Sequence, residues 1–117
     1  MAKEITKDKA DIDRFDMPLP DDFHAHLRQG ALLKASVLGH AGQFARVLLM
    51  PNTLPPVASP SRLKAYRSEV DQVLAELPLE KRFEPLYTFK LLPGMKGYDI
   101  EALVQKGAIA GKYYPSG

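Results

Sequence analysis

Residues 45–78, ARVLLMPNTLPPVASPSRLKAYRSEVDQVLAELP, decide how the rest of the chain is read. They open on Ala45 to Met50, a continuous apolar run of strand length, the kind that is buried on both faces in a parallel sheet. Thr53 to Pro60 follows as a proline-rich loop. Ser59 and Pro60 then supply an N-cap and a first-turn residue. Leu63, Tyr66, Val70, Val73, Leu74 and Leu77 recur at helical spacing until Pro78 forbids continuation. A buried strand followed by an amphipathic helix is the start of a parallel sheet with crossover helices.

Outward from this stretch the same alternation holds. Phe23 to Leu27 reads as a strand, followed by a helix from about Ala31 to Phe44 in which Leu33, Val37 and Ala41 share a face. On the other side Phe83 to Leu92 is a strand. Asp99 opens a short helix carrying Ile100, Leu103 and Val104, Gly107 is placed to close it, and Ala108 to Tyr114 is a fourth strand. Residues 1–14 are polar and charged without an apolar period and read as an N-terminal arm; residues 15–117 form the folded part. Strand and helix alternate through four strands and three helices, which implies an α/β fold. Two architectures remain open, a small four-stranded open sheet or part of a larger barrel.

The composition removes several classes of function. The chain has 117 residues, 45% hydrophobic and 26% charged, enough for one small domain. Sixteen Lys plus Arg against 14 Asp plus Glu leave a net charge of +2, spread along the chain without runs. Neither nucleic acid nor a membrane surface is suggested as a partner. Cysteine is absent, which excludes disulfides, thiolate metal sites and a cysteine nucleophile. No apolar stretch approaches the roughly 18 residues of a membrane helix, and no signal-peptide pattern opens the chain. A cytoplasmic protein is the default expectation.

Chemistry-bearing residues collect where the predicted strands end, the place where parallel α/β folds bind ligands. Asp22, His24, His26 and Arg28 form D-x-H-x-H-x-R. Residues two apart on a strand share a face, so both imidazoles and the guanidinium project together, and two such imidazoles can grip one divalent metal, zinc being well suited. The plain alternative is a pair of surface histidines near a loop. Asn52 ends the second strand, where its amide can hydrogen-bond a carboxylate, although Pro-Asn is also a common turn pair. Lys112 lies in an otherwise apolar strand. Such a lysine either reaches water from the strand end or has a role, and an unprotonated amine can add carbon dioxide to become a carbamate that bridges two metals. His40, after Gly39 near a helix end, reads as a helix C-terminal or surface histidine with no catalytic part, Lys34, Lys64 and Arg67 as solvated helix-face charges, and Tyr87, Tyr98, Tyr113 and Tyr114 as core or interface.

Taken together, DDFHAHLRQG at 21–30, VLLMPNTLPPV at 47–57 with the SRLKAYR helix behind it, and GKYYPSG at 111–117 resemble the N-terminal third of dihydroorotase. The resemblance is to the bacterial single-chain type within the amidohydrolase superfamily and covers about residues 18–117. H-x-H-x-R is shared with other cyclic amidases; its combination with M-P-N and K-x-Y-P is more specific. The resemblance implies the N-terminal part of a (β/α)8 TIM barrel with two zinc ions at its mouth. It makes His24 and His26 metal ligands, Lys112 a carboxylated lysine bridging both ions, and Arg28 and Asn52 the groups that hold the substrate carboxylate. The implied reaction is the reversible hydrolysis of L-dihydroorotate to N-carbamoyl-L-aspartate in pyrimidine biosynthesis.

Two positions depart from the family pattern. Gln29 stands where an acidic residue is usual, and Lys90-Leu91-Leu92-Pro93-Gly94 replaces a strand end that tends to be Thr-Asp. Two further histidine ligands and an aspartate proton shuttle are expected on later strands, after Gly117, so no catalytic residue is assigned within the chain. The expected partners are the small-molecule substrate and further polypeptide completing the barrel, with a homodimer left open. Residues 1–117 alone are expected to be inactive. The competing readings are a segment of a hydantoinase-like cyclic amidase, which Arg28 and Asn52 disfavour because they suit an anionic substrate, and a non-catalytic module on the same scaffold.

Overall fold

The computed structural model describes residues 13–115, so the expected arm lies almost wholly outside the described residues. Four strands, β1 (Asp22–Ala25), β2 (Arg46–Leu49), β3 (Glu84–Lys90) and β4 (Ala108–Lys112), alternate with three helices, α1 (Gly30–His40), α2 (Pro60–Ala75) and α3 (Gly97–Gln105). All neighbouring strands pair in parallel, in the order β1-β2-β3-β4.

That order narrows the architecture left open above. A doubly wound open sheet reverses its strand order at a switch point, whereas here each strand lies beside its predecessor. Right-handed crossovers with no reversal place successive helices on one face, which is the winding of a closed (β/α)8 barrel. Consistent with this, one buried cluster joins Ala25, Val47, Leu49, Tyr87 and Ala108 of the strands to Leu33 and Val37 of α1, to Leu63, Tyr66, Val70 and Leu74 of α2, and to Leu103 of α3.

Helix α2 forms as its sequence predicts. The Ser59 hydroxyl accepts the Arg62 N–H at 3.2 Å, with Pro60 in the first turn, an N-cap contributing about 1 kcal/mol. Leu63 is fully buried, and its truncation to alanine would cost on the order of 2–5 kcal/mol. The third helix starts at Gly97, two residues before expectation, because Asp99 sits in the first turn and its carboxylate accepts the Lys96 N–H at 2.9 Å. Gly107, at φ +103°, closes it.

Other boundaries are shorter than the sequence suggests. Helix α1 ends at His40, not Phe44, because Ala41 leaves helical geometry (ψ 129°) and Gly42 turns at φ +74°. Leu33 and Val37 are its buried face, while Ala41 is the cap. The first strand stops at Ala25, so His26 lies just beyond it. Among the described residues no helix is long and apolar enough to cross a membrane.

Candidate functional site

The carboxyl ends of β1, β2 and β4 bring the sequence-predicted residues to one rim. His24, in β1, is exposed and His26, one residue past it, is half-buried. Their Nε2 atoms stand 3.2 Å apart and their ring centroids 5.1 Å apart, as strand alternation requires. Lys112 ends β4 and donates from Nζ to Asn52 Oδ1 at 2.8 Å, so the fourth strand is tied to the loop after the second. Burial first, then the charges of Lys112, Arg28 and His24, holds the His26 imidazole below its ordinary pKa. It is therefore kept neutral, the form that offers a ring nitrogen to a metal.

Arg28 has an exposed side chain and a left-handed backbone, φ +62°, a conformation uncommon outside glycine. The Tyr66 hydroxyl of α2 donates to its carbonyl at 2.9 Å, which pins the turn. Burial pushes the Tyr66 phenol up to about 12, so it stays a donor across the neutral range. Arg28 and Lys112 have no carboxylate in ion-pair reach among the described residues.

The fit of a metal can be judged on the histidines themselves. Two nitrogens at ~2.0–2.1 Å from a tetrahedral zinc lie about 3.3 Å apart, which matches the separation of the two Nε2 atoms. The donor set stops there: no cluster of three or more His, Cys, Asp or Glu that could hold a metal occurs among the described residues. His26 Nδ1 is buried without a hydrogen-bond partner, an orientation partner that a ligating histidine ordinarily has.

Several side chains behave differently from their sequence reading. Asp22 does not join the rim: its carboxylate accepts the His24 N–H and the His40 Nε2, each at 3.0 Å, and these bonds hold it below the usual carboxylate range. His40 is thus half-buried in a contact between α1 and β1 and is not a surface group. Gln29 pairs with the Leu54 backbone in both directions. Arg67 leaves the solvated face to lie 5.0 Å over the Tyr87 ring and to donate to the Lys106 carbonyl. Tyr98 and Tyr113 are exposed, while Tyr114 takes the Lys90 and Lys112 ammonium groups at 4.4 and 5.0 Å from its ring centre. None of these contacts has a local sequence signal except the unusual lysine pair that closes β3 and β4.

A singly wound parallel sheet with paired histidines and a lysine at its carboxyl rim is part of an α/β barrel-type fold. The family this chain is similar to is dihydroorotase. It is 41% identical over 99 residues to the dihydroorotase of Rhizobium meliloti (strain 1021), covering 84% of this chain and 28% of that protein. It is 42% identical over 106 residues to that of Pseudomonas putida, covering 90% and 30%. The chain thus spans under a third of the length of the curated relatives it matches. No family model matches it. Among solved structures it superposes on dihydroorotase from Saccharomyces cerevisiae in complex with 5-fluoroorotic acid (TM-score 0.72, 25% identity, 88% of this chain and 27% of that one). The Campylobacter jejuni dihydroorotase gives a TM-score of 0.71 at 26% identity, over 85% and 28%. The L-hydantoinase of Arthrobacter aurescens, at 0.60 and 19% identity over 81% and 21%, shares the fold.

Proposed function

We propose that this chain supplies the β1–β4 part of a dihydroorotase acting in pyrimidine biosynthesis, where L-dihydroorotate and N-carbamoyl-L-aspartate are interconverted. The observation that carries the reading is the 3.2 Å convergence of the His24 and His26 Nε2 atoms on a rim where Arg28 and Lys112 have no carboxylate in ion-pair reach among the described residues. His24 and His26 would hold zinc, and Lys112, as its carbamate, would bridge to a second ion. When bound, the metals supply Lewis acidity for hydrolysis of the cyclic amide.

The chain's own residues bind and orient. The Arg28 guanidinium offers a planar fork to the substrate carboxylate. Asn52 has its carbonyl oxygen engaged by Lys112, which leaves its amide N–H group as a second donor. Burial, with the charge of Arg28, holds the His26 imidazole below its ordinary pKa. A proton-transferring carboxylate, the remaining ligands and the neighbours of β1 and β4, each of which pairs on one side alone, would come from further polypeptide.

The test is a graft: the matching segment of the Pseudomonas putida relative is replaced by this chain. Turnover of L-dihydroorotate, lost with bound zinc in His26→Ala, is the expected result. Turnover of hydantoin in place of dihydroorotate would favour the hydantoinase-like reading, and a folded graft that binds zinc without turnover would favour a non-catalytic module.

A further inference from the structure

Gln29 occupies the N-cap position of α1 yet its side chain makes no cap hydrogen bond. Its amide turns instead to the loop after β2, where Oε1 accepts the Leu54 N–H at 2.8 Å and Nε2 donates to the Leu54 carbonyl at 3.3 Å. The two bonds join positions 25 residues apart in sequence, one beside Arg28 and the other two residues past Asn52. The Leu54 side chain is 87% exposed, so apolar burial does not explain the contact. The loop it engages is otherwise braced from within and from α2: Thr53 and Arg62 donate to the Pro55 carbonyl at 2.7 and 3.1 Å, and Val57 N–H to the Pro51 carbonyl at 3.1 Å. On the other side Tyr66 fixes the Arg28 carbonyl.

We propose that Gln29 is a positioning residue that locks the Arg28 turn to the Asn52 loop and so presets the two groups that grip a substrate carboxylate. The inference rests on the dihydroorotase reading of the rim. A glutamine suits the task because its amide can accept the Leu54 N–H and donate to the Leu54 carbonyl at once; a carboxylate would keep the first bond and face the Leu54 carbonyl without a proton to give. Preset donors bind more tightly because less freedom is lost on association.

The experiment measures binding of orotate, which carries the carboxylate, and of uracil, which lacks it, to the full chain in its assembled form. Wild type, Gln29→Ala, Gln29→Glu and Arg28→Met are compared below their melting temperatures. Loss of the two bonds is expected to weaken orotate binding about tenfold in Gln29→Ala and by less in Gln29→Glu, which keeps the acceptor of the Leu54 N–H, with uracil affinity unchanged. A parallel readout is amide exchange at Leu54, expected to accelerate in Gln29→Ala and to stay slow in Gln29→Glu. If Arg28→Met loses orotate while both Gln29 variants bind like wild type, the positioning role is wrong and the carboxylate site stands. An equal loss of orotate and uracil in the Gln29 variants would reduce Gln29 to general structural support and overturn the proposal. Absence of orotate binding by wild type would overturn the reading of the rim and this inference with it.

Discussion

At the amino ends of β1 and β2, Asp21 is paired with Arg46 and Asp22 with His40; at the carboxyl ends, His24, His26, Arg28 and Lys112 gather without one carboxylate in ion-pair reach among the described residues. Both ends belong to the same sheet and both carry histidine and arginine. Where charges meet internal partners they serve the fold. Where like-signed groups are collected on a rim with no carboxylate in reach among the described residues, the arrangement suits the proposed metal at the imidazoles and an anionic group at Arg28.

The comparison can be broken most forcefully at the histidines. His24→Ala or His26→Ala is expected to lower zinc affinity by roughly 100-fold or more, beyond the ~10–100-fold attributed to outer partners of a ligand, with little change in melting temperature. Metal titration against a chelator reads the first and calorimetry the second. A large stability loss with zinc affinity intact would make this rim structural as well.

At the opposite end the signs reverse. Asp22→Ala removes the acceptor of two hydrogen bonds in a half-buried place, and denaturant unfolding should show a loss of about 1–3 kcal/mol with zinc binding unchanged. An effect on zinc in this variant would mean that Asp22, through the His24 backbone, sets the rim after all.

Tyr66 links the two behaviours, being a core residue whose hydroxyl ends at the rim. Tyr66→Phe is expected to cost about 0.5–1.5 kcal/mol and to weaken carboxylate binding. Its pH dependence is specific. With the folded phenol raised from 10.0 to about 12, the unfolded chain gives up this proton first, so the contribution is whole below pH 10 and is lost as pH rises to 12. The alkaline fall in stability should be smaller in the variant, the remainder coming from Tyr87, which burial also raises. An unchanged alkaline limb would show that Tyr66 ionises as freely folded as unfolded.

The smallest effect is expected at Asp21 and Arg46, an ion pair open to solvent. Asp21→Asn should be barely measurable and should vanish in 1 M salt, where screening is complete within a few ångströms.

How far the sequence foretold these two ends depends on the distance along the chain over which each contact acts. Helix α2 was legible because cap, period and stop signal all lie within residues 59–78, and the shared face of His24 and His26 follows from a two-residue spacing. The M-P-N and K-x-Y-P stretches carried the family resemblance. What the sequence hid were pairings across 18 to 60 residues: His40 on Asp22, Gln29 on Leu54 and Lys112 on Asn52. No periodicity encodes such contacts; they exist only once β1, β2 and β4 share a sheet. His40 closes α1, one of the two places its sequence allows, but its contact with Asp22 was hidden for that reason, as was the Gln29 contact with Leu54. The strand order, which separates a barrel winding from an open doubly wound sheet, is likewise a property of the assembled sheet.

The central claim is that the carboxyl rim with His24 and His26, and not the amino end with His40, is the metal site. Anomalous diffraction at the zinc edge, from crystals of the chain grown with zinc, tests it directly. The account predicts a peak bound by both His24 and His26 Nε2 at about 2.0–2.1 Å, close to Lys112. A peak at His40 and Asp22, or none at the rim, would contradict it.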